Sequence, residues 1–207
     1  MSTATPIFDP STAGAWKGAP GELWPLSVEQ YHAMIDKGIL GPDDPVELLD
    51  GCLVRKMPKN PEHCAVVEDL RELLTALIGS EWHVRSQDPI ALPDSEPEPD
   101  VAVVAGARSR YRKMHPASTD IGLIAEAADS SLSRDREWKR RIYARARIPV
   151  YWLVNLAARE VTVFTEPNDS ESDPDYAQAV TYRAGDSIPV MLRAVLVGEI
   201  DVSRLLP

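Results

Sequence analysis

The chain has 207 residues, of which 44% are hydrophobic and 26% charged, and its formal net charge is −10. This composition is that of a globular protein with a sizeable core and excludes a chain that is disordered throughout. No run of residues is long and apolar enough to cross a bilayer, and the N-terminus lacks the pattern of a secretory signal. We therefore expect no membrane association and a cytoplasmic location. Cys52 and Cys64 have no metal-ligand spacing, which argues against a structural zinc site.

The first half of the chain predicts two helices with a hairpin between them. A helix is expected over 27–37, because Ser27 can cap its start and a glycine follows its end. The pair Asp50-Gly51 lies between two apolar runs and predicts a hairpin, since both positions of its turn need positive φ. Leucines and a valine at helical spacing predict a longer helix over 61–79.

The second half of the chain predicts a sheet. Apolar runs predict strands at residues 81–92, 100–105, 121–127, 150–154 and 159–165. A helix is expected over 135–147, a polar loop over 166–176, and two or three short strands at the end. This order predicts a single α/β (α+β) domain over 26–207, in which helices flank a mixed β-sheet, preceded by an irregular arm over 1–25.

Charge is distributed unevenly along the chain. Residues 108–147 contain 11 of the 22 lysines and arginines but only five acidic residues, so this window carries +6 and the remainder carries −16. An acidic body with one basic segment can attract a polyanion locally and repel it elsewhere. The alternative interpretation is that the arginines simply form the solvated face of a helix.

Two carboxylates interrupt apolar strands, Asp100 at the start of one strand and Glu126 near the end of another. A buried carboxylate needs a cation or hydrogen-bond donors, and two of them at the ends of neighbouring strands can share a divalent metal ion. Lys139 follows on the next helix, with Tyr143 on the same helical face. Taken singly, each acid could be a surface residue at a strand end, and Lys139 could be a solvated lysine.

Further motifs accompany these residues in a fixed order. They are VELLDG at 46–51, PEH at 61–63, EPDV at 98–101, IAEAADSSL at 124–132, RDR at 134–136, PVYWLVN at 149–155 and YRAGD at 182–186. Together they resemble the Uma-type family of restriction endonucleases, which belongs to the PD-(D/E)XK nuclease superfamily. The resemblance extends over about residues 27–206 and implies a restriction-endonuclease-like fold.

The resemblance also implies roles for individual residues. Asp100 and Glu126 would be the metal ligands, for Mg²⁺ or Mn²⁺. The superfamily often places its lysine two residues after the second acid, but Ala128 occupies that position here, so Lys139 would be the migrated replacement. Glu47 would be an extra catalytic acid brought to the site by the hairpin.

Three functions are compatible with the sequence. The first is a metal-dependent endonuclease that hydrolyses DNA and holds phosphates with the basic segment. For such a nuclease, an exposed hydrophobic edge at the terminal strands predicts pairing into a homodimer. The second is a catalytically silent nuclease-fold protein that binds DNA or a protein partner in a regulatory or mobile-element role. The third is an acidic interaction protein. If the first holds, Asp100 and Glu126 should lie close enough to share one ion, with Lys139 beside them, whereas His63 is expected to be a structural histidine outside the core of the site.

Overall fold

This computed structural model describes residues 24–168, 170 and 172–206, so the arm predicted at 1–25 lies almost entirely outside the described residues. The helices and strands are α1 (Val28–Asp36), β1 (Val46–Leu49), β2 (Cys52–Arg55), α2 (Pro61–Leu77), β3 (Trp82–Ser86), β4 (Val101–Ala105), β5 (Ile121–Ala128), α3 (Arg140–Arg145), β6 (Val150–Asn155), β7 (Glu160–Pro167), β8 (Tyr176–Arg183), β9 (Ser187–Leu192) and β10 (Val195–Asp201). A π-helical segment, Arg134–Lys139, leads directly into α3.

A six-stranded sheet in the order β3-β4-β5-β6-β7-β8 forms the centre of the fold. Every neighbouring pair is antiparallel except β5 and β6, which run parallel because the helical segment and α3 connect them. Two separate hairpins, β1-β2 and β9-β10, pack onto this sheet. The predicted mixed sheet flanked by helices is confirmed.

Each face of the sheet is covered by one helical layer and one hairpin. On one face, α2 and the β9-β10 hairpin bury a cluster that includes Leu70, Trp152 and Val190. On the other, α3 and the β1-β2 hairpin bury a cluster that includes Leu49 and Ile142. Strands β4, β5 and β6 are consequently buried along their whole length, as their continuous apolar sequences predict. No helix in the described part of the chain has the length and apolarity needed to cross a membrane.

The predicted helix starts have clear physical causes. Ser27 and Gln30 form a capping box at the start of α1, each accepting a hydrogen bond from the backbone N–H of the other. Gly38 follows that helix with a φ of 68°. The Asn60 side chain caps α2 by accepting a hydrogen bond from the backbone N–H of His63 at 2.8 Å.

The hairpin predicted at Asp50-Gly51 is also confirmed. Asp50 has a φ of 49° and Gly51 a φ of 72°, as the turn requires. The Gly51 backbone lies so close to the incoming chain that a Cβ there would be 2.5 Å from Cβ of Pro25. The turn therefore needs glycine for two separate reasons.

Two predicted elements differ from the structure. The strand expected over 81–92 ends at Ser86, because Gln87 takes a φ of 56° and turns the chain out of the sheet. The helix expected over 135–147 starts one residue earlier, and its first part is π-helical rather than α-helical. This difference matters because Lys139 ends the π-helical segment.

Candidate active site

Two neighbouring strands bring Asp100 and Glu126 together. Asp100 immediately precedes β4, and Val101 is the Cα partner of Ala125 in β5. The backbone N–H of Asp100 donates a hydrogen bond to Oε2 of Glu126 at 3.3 Å. In turn, the backbone N–H of Ala127 donates to Oδ2 of Asp100 at 3.0 Å. The carboxyl group of each acid is thus fixed in part by the backbone of the other's strand.

Lys139 and Glu47 complete the same cluster from the other side. The Lys139 ammonium lies 3.0 Å from Oε1 of Glu126 and 3.2 Å from Oε2 of Glu47. Glu47 belongs to β1, and its Oε2 also accepts a hydrogen bond from the backbone N–H of Glu98 at 3.1 Å. All four residues selected from the sequence, Asp100, Glu126, Lys139 and Glu47, therefore lie in one place.

The cluster contains more buried negative than positive charge. Glu47, Asp100, Glu126 and Asp135 are between 2% and 8% exposed, and Lys139 at 3% is the buried cation among them. Burial raises the pKa of Glu126; Lys139 opposes this rise and Asp100 adds to it. Burial lowers the pKa of Lys139, but the neighbouring Glu126 and Glu47 outweigh burial and hold it well above its usual range. Lys139 is therefore a permanently charged group at neutral pH.

His63 contacts Asp100 directly, contrary to its expected place outside the core of the site. Its Nε2 lies 3.1 Å from Oδ2 of Asp100, and the side-chain amide of Gln87 donates to Oδ1 at 3.4 Å. Burial raises the pKa of Asp100, but the hydrogen bond and charge of His63, the N–H of Ala127 and Lys139 together hold it below its usual value. The PEH motif at the start of α2 was the signal for His63, whereas no sequence pattern indicated Gln87.

Tyr143 is a second group that sequence reasoning placed near the site without giving it a role. Its hydroxyl donates a hydrogen bond of 2.6 Å to Oε1 of Glu126, the same oxygen that Lys139 contacts. Burial, followed by the charge of Glu126, raises the Tyr143 pKa well above its ordinary value, so this hydroxyl remains a donor. The spacing of four residues between Lys139 and Tyr143 was the available signal.

A solvent-open cleft leads to these groups. Its lining consists of Glu47, Lys56, Met57, Pro58, Lys59, Asn60, His63, Gln87, Glu98, Asp100, Glu126, Asp129, Ser130, Ser131, Arg134, Asp135 and Lys139. Among the cations that line the cleft, Lys56 contacts Glu98 at 2.9 Å, Arg134 lies 3.7 Å from Asp135, and Lys59 is exposed. An anionic ligand in the cleft would therefore meet positive charge as well as carboxylates.

Arginines of the basic segment are engaged within the protein. Ion pairs join Arg110 to Asp120, Arg140 to Asp175, Arg141 to Asp173, and Arg145 to both Asp50 and Asp94. These contacts neutralise part of the +6 charge that the sequence assigned to residues 108–147. Of the cations that line the cleft, Lys56 is paired with Glu98 and Arg134 lies 3.7 Å from Asp135, so the exposed Lys59 is better placed to meet phosphate than these arginines.

The donor set suits a divalent metal ion with oxygen ligands. Four buried carboxylates face one buried ammonium, an imbalance that a bound cation would reduce. Within the described residues, no three His, Cys, Asp or Glu side chains are arranged to hold an ion by themselves. Mg²⁺ commonly uses one or two protein carboxylates and completes its shell with water and substrate phosphate, so Asp100 and Glu126 meet its requirement.

The sheet and the cluster at its strand ends define a nuclease fold, and comparison with solved structures agrees. The crystal structure of a protein from Anabaena variabilis ATCC 29413, described as "a putative nuclease belonging to DUF820", has a TM-score of 0.67 at 12% sequence identity. The match covers 87% of this chain and 97% of that chain. Identity at this level shows the shared fold alone.

A family model places the chain more narrowly. The model described as "Uma2: Putative restriction endonuclease" matches residues 28–197. Because this match covers most of the chain, the protein belongs to the Uma2 family, as the sequence motifs predict. A search of curated proteins found no significant match.

Proposed function

We propose that the protein is a metal-dependent endonuclease that hydrolyses DNA phosphodiester bonds in the cleft above Asp100 and Glu126. The observation that carries the proposal is the convergence of Asp100, Glu126 and Lys139. Lys139 Nζ lies 3.0 Å from Oε1 of Glu126, and the backbone nitrogen of Asp100 lies 3.3 Å from Oε2 of the same residue. Membership of a restriction endonuclease family supports the same conclusion. DNA is thus the proposed substrate, and Mg²⁺ or Mn²⁺ the proposed ion.

In this proposal Asp100 and Glu126 would hold the ion. When bound, such an ion polarises a phosphate oxygen and lowers the pKa of a coordinated water. Lys139 supplies a fixed positive charge at the bottom of the cleft, where it can stabilise negative charge that develops on the phosphate. Tyr143 and Glu47 hold Glu126 and Lys139 in place through their hydrogen bond and ion pair.

His63 has a supporting part in the same proposal. Its contact at 3.1 Å restricts the orientation of the Asp100 carboxylate, and the backbone N–H of Ala127 restricts the same oxygen. With two groups fixing Oδ2, Oδ1 retains the long contact to Gln87 at 3.4 Å. Oδ1 is therefore the oxygen of Asp100 most available to a ligand.

A catalytically silent nuclease-fold protein is the second candidate. The observations that favour it are the net charge of −10 and the internal ion pairs of Arg140, Arg141 and Arg145, which leave fewer cations for a DNA backbone. Such a protein would bind DNA or a protein partner in a regulatory or mobile-element role without cutting.

The test is cleavage of supercoiled plasmid and of single-stranded DNA with Mg²⁺, with Mn²⁺ and with a chelator. The wild type should cut only with metal, and Asp100→Asn and Glu126→Gln should lose at least about 100-fold in rate. Asp36→Asn is the matched control, because it removes an exposed carboxylate at the end of α1, outside the cleft, and should cut like the wild type. A folded wild type that binds metal but leaves both substrates intact would favour the silent candidate.

A further inference from the structure

The two edges of the central sheet differ in how they are protected. The β3 edge has five residues, and the guanidinium of Arg108 donates to the carbonyl of Val84 at 3.3 Å, which occupies part of that edge. The chain then leaves the sheet at Gln87 through its positive φ. The β8 edge has eight residues and pairs only with β7 among the described strands.

Strand β8 lacks the features that keep sheet edges apart. Its sequence, YAQAVTYR, contains no lysine and no proline, and its pairing with β7 has no bulge. Its single charge, Arg183, stands at the end and is paired with Glu160 at 2.6 Å. Six of the eight residues are exposed, including Val180 at 50%. Long, uncharged edges of this kind are available for pairing with another strand.

We propose that a second copy of this chain pairs with β8 in antiparallel orientation and joins the two sheets into one. An antiparallel pair of identical strands is self-complementary, so a two-fold axis perpendicular to the sheet at Val180, near the middle of the strand, satisfies both edges with one contact. A parallel or staggered arrangement would leave unpaired backbone groups at both ends.

The side chains favour this occupant. Val180 is the Cα partner of Val163, which belongs to the core cluster beneath α2, and Tyr182 packs against the same cluster. Across the axis, the Val180 side chains of the two copies would meet and extend this apolar surface. The Arg183 end of one strand would lie near the Asp175 end of the other, so opposite rather than like charges meet.

The size of the contact sets its strength. Seven paired residues, 177–183, extend over roughly 23 Å, which gives an interface smaller than that of a typical permanent dimer. The dimer should therefore form at micromolar concentration and dissociate on dilution. No residue of β8 lines the cleft, so pairing here is separate from the proposed nuclease site.

Size-exclusion chromatography with light scattering, from about 1 to about 100 µM protein, tests the proposal. The mass of the wild type should rise with concentration from 22.8 kDa to twice that value. Val180→Lys should remain monomeric, because two like charges would face each other near the axis. Val195→Lys is the matched control, since Val195 is 61% exposed at the start of β10 and should dimerise like the wild type.

Two results would overturn the proposal: a wild type that is monomeric at about 100 µM, or a Val180→Lys variant that dimerises as the wild type does. Circular dichroism establishes whether each variant is folded. If Val180→Lys does not fold, Thr181→Lys is the second variant, because Thr181 is exposed on the other face of β8 and a lysine on an edge strand opposes pairing with a further strand. Loss of dimerisation in Val195→Lys but not in the β8 variants would place the interface at the β9-β10 hairpin and equally contradict the proposal.

Discussion

Lys139 reaches Glu126 from a helix, and its ammonium lies 3.0 Å from the carboxylate of that strand residue. Glu126 and Ala128 point to the same face of β5, because side chains two apart in a strand share a face. The helical segment that carries Lys139 covers this face. A lysine from the helix can therefore occupy the space beside Glu126 that a lysine at the position of Ala128 would occupy.

Lys139→Met should destabilise the protein by about 3–5 kcal/mol, because it leaves Glu126 and Glu47 buried without their shared cation. Urea unfolding followed by circular dichroism measures this loss. Lys59→Met is the matched control. Lys59 is exposed, so its replacement should leave little buried negative charge without a cation and should change the stability little. Equal stability of the two variants would show that Lys139 does not stabilise the buried acids.

Tyr143→Phe removes only the hydroxyl that donates to Glu126 at 2.6 Å. We expect a loss of about 1.5–3 kcal/mol in the free energy of unfolding, because a buried charged acceptor loses one of its donors. Metal-dependent cleavage should fall as well, since Glu126 is held less firmly. Tyr182→Phe, on the partly exposed edge strand, should change neither property. A Tyr143→Phe variant as stable as Tyr182→Phe would contradict this account of the hydroxyl.

Lys59 should contact a DNA phosphate, because it is exposed and lines the cleft. In the Asp100→Asn background without metal, Lys59→Ala should reduce the slope of log K against log salt by about 0.9, the contribution of one phosphate contact. Fluorescence anisotropy over a range of salt concentrations measures the slope. Arg141→Ala should leave the slope unchanged, since Arg141 is paired with Asp173. A larger change for Arg141 than for Lys59 would place the DNA on α3 instead.

Gly51→Ala should cost about 2–5 kcal/mol, because a Cβ there adds a clash with Pro25 at 2.5 Å to the strain of positive φ. Gly185→Ala is the matched control. Gly185 also has a positive φ, 95°, but no atom lies within 4 Å of the Cβ position, so only the backbone strain of about 1–2 kcal/mol applies. The comparison is made by chemical unfolding, and equal losses would mean that the clash with Pro25 is relieved by movement of that segment.

Local signals predicted most of the fold. The capping residue Ser27 and the pair Asp50-Gly51 act through neighbours in the chain, so their effects can be read from a few residues. The strands β4 and β5 were evident because burial on both faces requires continuous apolar residues. The end of β3 at Ser86 was not evident, since it depends on the φ of Gln87, a residue type that rarely takes positive values.

The candidate site was predictable only in part, because its contacts join distant residues. Asp100, Glu126 and Lys139 were identifiable from their motifs, and the structure brings them together with Glu47. The contact of Gln87 with Asp100 depends on the turn after β3 and had no signal in the sequence. The ion pairs of Arg140 and Arg141 with Asp175 and Asp173 were missed for the same reason, since charge counts do not show which residues face each other.

The π-helical winding of Arg134–Lys139 makes the position of the site lysine unusually dependent on chain length. Such a segment accommodates one more residue than the same stretch of α-helix. Deleting one residue from it would restore ordinary winding between the same two ends, so α3 and the residues before the segment would keep their places while side chains within the segment shifted around the helix axis by up to about 100°. A change in length of a single codon could thus alter the surroundings of Lys139 without replacing any residue of the candidate site.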